Sequence, residues 1–81
     1  MRLQLTRDER ELILDYGYPN PDFGKRLEEK RDVSGSAAFV IEDYEVETLV
    51  GDLSRSINHG EVPDTLLEEV DALASRLESL L

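Results

Sequence analysis

An α+β domain with the order β-α-α-β-α-α is the fold this sequence predicts, and three observations predict it. Two short segments, "RLQL" and "AAFVIE", read as strands. Each runs directly into acidic residues that suit a helix start. The second half then carries apolar residues at helical spacing along two successive segments, the pattern of an antiparallel helical hairpin. The two strands are expected to form one small sheet covered by helices, within a single domain over residues 1–81.

Taken in order, "RLQL" alternates polar and apolar residues at period two, as a half-buried strand does. Thr6 followed by Glu9 is a capping box, which starts a helix over about Arg7 to Tyr16 that ends at Gly17. Glu9, Leu12, Ile13 and Tyr16 share one side of it, the apolar members facing inward. Asn20 before Pro21 has the form of an N-cap with proline at the first helical position, so a second helix runs from about Pro21 to Lys30. Phe23 and Leu27 form its inner face. In "AAFVIE", Phe39, Val40 and Ile41 are consecutive β-formers, which predicts a strand that is central or covered on both faces.

Glu42 and Asp43 place negative charge at the start of a third helix. Its stripe is Val46, Leu49, Val50, Leu53 and Ile57. Gly51 lies within it and would permit another element to approach closely. The last segment repeats Leu66, Val70, Leu73, Leu77 and Leu80 at spacings of four and three, a seam suited to packing on the preceding helix or on a second copy.

Composition narrows the function classes. There is no cysteine, so disulfides, thiol nucleophiles and cysteine-ligated metals are excluded. No apolar run approaches signal-peptide or membrane-span length, and a cytoplasmic location without membrane contact is expected. The net charge is −10 over 81 residues, and it is unevenly placed. Residues 1–35 carry eight acids against seven bases, whereas residues 36–81 carry eleven acids and only Arg55 and Arg76. That half repels phosphate backbones, so direct nucleic-acid binding is not expected.

The chain's one histidine lies in "SINHGEVPD", residues 56–64. Two readings apply. His59, Glu61 and Asp64 are the residue types of a metal or acid–base site, but no second histidine or cysteine completes a zinc set and no nucleophile is held near the base. As a hinge, every residue is accounted for: Gly60 takes the left-handed position after the helix, the His59 imidazole meets free carbonyls at the negative helix end, and Pro63 opens the fourth helix with Asp64 and Glu68 at its start. The hinge is the expected reading, with no cofactor implied. Tyr16 and Tyr18 flank Pro19. They read either as a peptide-binding ledge or as plugs at the end of a small core with their hydroxyls in water.

The second half also resembles a layout found among small uncharacterised bacterial proteins, in which a strand ending in acids leads into a helical hairpin. The residues that carry the likeness are Leu49, Gly51, Leu53, Asn58 and His59, then Leu66, Asp71, Leu73 and Leu77. It implies a bacterial origin and no particular activity.

The expected function is therefore a small acidic protein-interaction or regulatory module that is not an enzyme. It would associate with itself or another protein through part of the surface formed by Val46, Leu49, Val50, Leu53, Ile57, Val70, Leu73 and Leu77. An acidic inhibitor or nucleic-acid mimic that occupies a basic groove is the alternative. A small enzyme with a site shared across a dimer axis ranks behind both.

Overall fold

A computed structural model describes residues 1–81. Its elements are β1 (Arg2–Leu5), α1 (Arg7–Tyr16), α2 (Pro21–Glu29), β2 (Ala37–Val40), α3 (Asp43–Asn58), one 3₁₀ turn (Asp64–Leu66) and α4 (Leu67–Ser79). This is the α+β order expected from the sequence. The local signals act as read. Thr6 Oγ1 accepts from the Glu9 amide while the Glu9 carboxylate accepts from the Thr6 amide, closing the capping box. Asn20 Oδ1 accepts from the Phe23 amide at 2.8 Å, with Pro21 just inside α2.

The strands pair antiparallel, with Leu3 opposite Phe39 and Leu5 opposite Ala37. Leu3, Leu5 and Phe39 point into the core, where the Phe39 ring meets Phe23 edge-on at 5.7 Å. The expectation that β2 is central or doubly covered is overturned. It pairs on one side only, and Val40 is 74% exposed on the face away from the core. The run of three β-formers arises because Ile41 turns inward just past the strand, where it and Met1 bond each other's backbone.

Three arginines secure this minimal sheet. Arg10, 1% exposed, donates to the carbonyls of Leu5, Val33 and Gly35 at 2.8, 2.6 and 3.0 Å. It thereby ties the loop before β2 to the end of β1. Arg76 reaches the Gln4 carbonyl at 3.1 Å, and Arg26 reaches the Val40 carbonyl at 2.6 Å. In this register those two carbonyls point outward from opposite edges of the sheet.

In the second half, α3 and α4 form the most extensive helix–helix contact of the molecule, an antiparallel hairpin. Their shared core holds Val46, Leu49, Leu53, Val70, Leu73, Ala74 and Leu77, and it is continuous with the side chains beneath the sheet. α4 starts later than the sequence suggested. Pro63 precedes a 3₁₀ turn rather than opening the α-helix, because Val62 is drawn into the core and the chain must climb back to the helix start. Gly51 does not serve close approach: it is exposed, and a Cβ there would meet nothing within 4 Å.

Candidate functional site

Of the eight apolar positions expected to supply an interface, Val46, Leu49, Leu53, Val70, Leu73 and Leu77 are buried within the single chain, and Val50 and Ile57 are half-buried. Each helix uses its stripe against the other, so these side chains are core and little of that surface remains for a partner.

The turn after α3 is built by backbone. The amide of Gly60 donates to the Ile57 carbonyl and that of Glu61 to the Ser56 carbonyl, the paired bonds of a Schellman motif. Gly60 sits at φ 72°, the left-handed position expected of it. The His59 imidazole was expected to meet free helix carbonyls, but the amides satisfy them. The ring instead lies exposed, with Nδ1 3.9 Å from the Glu61 carboxylate. Asp64 is exposed in the 3₁₀ turn. No three side chains of ligating type converge on a metal position anywhere in the chain.

Tyr16 and Tyr18 part ways. Tyr16 is half-buried against the core, and its carbonyl accepts from the buried Ser56 hydroxyl at 2.7 Å, which pins the end of α1 to α3. Gly17 follows with its amide on the Ile13 carbonyl at 2.8 Å. A Cβ there would lie 2.9 Å from that same oxygen, so the chain leaves the helix at a glycine. Tyr18 then takes a left-handed backbone, φ 46°, which is rare for a bulky side chain. This turns its ring outward, 60% exposed, across a gap from α3.

The gap is a cleft of about 260 Å³. Tyr18, Pro19 and Asn20 form one wall, while Tyr44, Glu45 and Thr48 on the first turns of α3 form the other. Phe23 and Leu49 lie between them as an apolar floor. Tyr44 is 66% exposed. The walls are cross-linked: Asn20 caps α2 through Oδ1 and donates from Nδ2 to Glu45 Oε2 at 3.1 Å. Tyr18 donates its hydroxyl to Glu61. That bond and the charge of Glu61 hold the phenol above its ordinary value, with Asp52 adding to the effect and Arg55 opposing it.

The sequence offered Tyr18 and Pro19 but not the second wall. Its signal was a large aromatic off the apolar stripe: Tyr44 occupies a solvent position of α3, where packing does not call for a ring. A second depression of about 320 Å³ lies between α1 and α4. Its one base, Arg76, is taken up by Glu9 at 2.8 Å, while Asp8 and Glu69 line it as further acids.

Comparison with known protein families, curated proteins and solved structures gives no match to this chain. No helix is long and apolar enough to cross a membrane.

Proposed function

We propose that the chain is an acidic protein-interaction module whose cleft between the α1–α2 loop and α3 receives a basic segment of another protein. One observation carries this reading: two exposed tyrosines line a single apolar-floored cleft with a carboxylate in its wall. Tyrosine is a common anchor of binding surfaces, since its ring supplies contact area at small conformational cost. The helical stripes are consumed internally, so the cleft is the chief concentration of aromatic surface left to a partner. The charge of −10 favours a basic partner, with rapid association that weakens as salt is raised.

The test immobilises the full chain beside a Tyr44→Ser variant of unchanged melting temperature and elutes bound protein from source lysate with stepped salt. A stoichiometric basic protein, released at moderate salt and missing from the variant, is the expected result. Retention of that protein by Tyr44→Ser, or indifference to salt, would sink the proposal.

A further inference from the structure

Resting on that reading, we infer that the group seated in the cleft is a single arginine side chain of the partner. Size comes first. About 260 Å³ lies just below the roughly 300–1,000 Å³ of small-molecule sites, which suits one long side chain rather than a cofactor. The chemistry follows the shape of arginine from stem to head. Phe23 and Leu49 offer an apolar floor to the methylenes. Tyr18 and Tyr44 line the cleft with aromatic surface on which a guanidinium can stack. Glu45 supplies the acceptor: only its Oε2 is engaged, by Asn20, so Oε1 and the second lone pair of Oε2 remain for a forked donor.

The fixed charges decide the sign of the ligand. The N-termini of α2 and α3 contribute about half a positive charge each. Against them stand Glu45 in the wall, Asp43 beside Tyr44 and Glu61 on the Tyr18 hydroxyl. The cations nearby are engaged elsewhere. Arg55 pairs with Asp52 at 3.4 Å, and Arg26 bonds the Val40 carbonyl and lies 3.8 Å from Asp22. The net field is negative, so a cation enters.

A guanidinium fits better than an ammonium because it stacks, is less strongly hydrated and matches a carboxylate with two parallel bonds. The molecule already makes this pairing once, with the Arg26 guanidinium 5.2 Å from the centre of the Phe23 ring that floors the cleft.

The experiment titrates the ¹⁵N-labelled full chain with the blocked peptide Gly-Ser-Arg-Ser-Gly. Versions carrying lysine, or citrulline (arginine's neutral isostere), replace it in parallel titrations. Arginine should shift the amides of Tyr18, Tyr44, Glu45 and Thr48. Lysine should bind several-fold more weakly and citrulline should leave these amides unmoved. Tyr44→Ser and Glu45→Gln should each weaken arginine binding by about tenfold or more. Melting should be unchanged in the first and lowered by no more than a few degrees in the second, where the glutamine still offers an oxygen to Asn20. Equal binding of citrulline or lysine, shifts scattered over the acidic surface, or no shift at saturating peptide would each overturn the inference. If the cleft amides ignore arginine while Tyr44→Ser still loses its protein partner, the arginine reading falls and the interaction module stands. If the peptide behaves as expected while Tyr44→Ser keeps its partner, the module reading falls and the arginine site stands.

Discussion

Between β1 and β2, burial is scarce and polar clamps do the holding. Each strand has four residues, and Arg10, Arg26 and Arg76 reach backbone carbonyls of the sheet or of the loop beside it. Between α3 and α4 the reverse holds. Helices of sixteen and thirteen residues offer enough inward positions for apolar side chains to seal one another, and Ser56 is the sole buried polar residue there. A short strand buries about two side chains, each worth roughly 1.5–3 kcal/mol, which is too little to fix a two-stranded sheet. Charge-assisted bonds to carbonyls supply the geometry that packing cannot. The halves are then stitched by Ser56 to the Tyr16 carbonyl, Asn20 to Glu45, and Arg76 to Glu9.

Three substitutions would break or sharpen this contrast. Leu73→Asp should have the largest effect. It puts a carboxylate at a 2% exposed position in the helical core, so a loss of about 5 kcal/mol and an unfolded circular-dichroism spectrum are expected. A cooperative melt like that of the parent chain would mean the hairpin is not the apolar half described. Arg10→Met comes next, since it keeps the stem and removes the clamp. With three carbonyls losing their donor, denaturant titration should record a loss of about 3 kcal/mol. A loss under about 1 kcal/mol would show that the sheet holds without its arginine. Gly51→Ala is the smallest and of opposite sign. An exposed helical glycine with open space around its Cβ position should gain about 1 kcal/mol, seen as a raised denaturation midpoint. Destabilisation would reveal a neighbour over that face of α3.

How far each half could be read from its residues follows the same division. The helical half was legible because its stripe is local: Val46, Leu49 and Leu53 announce their face, and Gly60 announces the turn. So were the caps at Thr6 and Asn20, whose partners lie three residues away. Arg10 was not. It continues the Ile13 face back by one turn, but its acceptors Val33 and Gly35 are more than twenty residues distant and carry no side-chain signature. Val62 hid between Glu61 and Pro63, outside any period. The cleft was half legible for the same reason. Tyr18 and Pro19 stand out in the sequence, whereas Tyr44 becomes meaningful only once Ser56 has pinned α3 beside the end of α1.

The positions of Arg26 and Arg76 bear on a hazard common to all short open sheets. Both strands here are edges, and β2 carries the exposed Val40, a combination that invites a neighbouring molecule to add a strand and begin a fibril. On each outer rim a guanidinium already occupies a carbonyl that an incoming strand would need. Two copies meeting rim to rim along β2 would also set one Arg26 against another. The residues that fasten the sheet therefore act as gatekeepers against polymerisation.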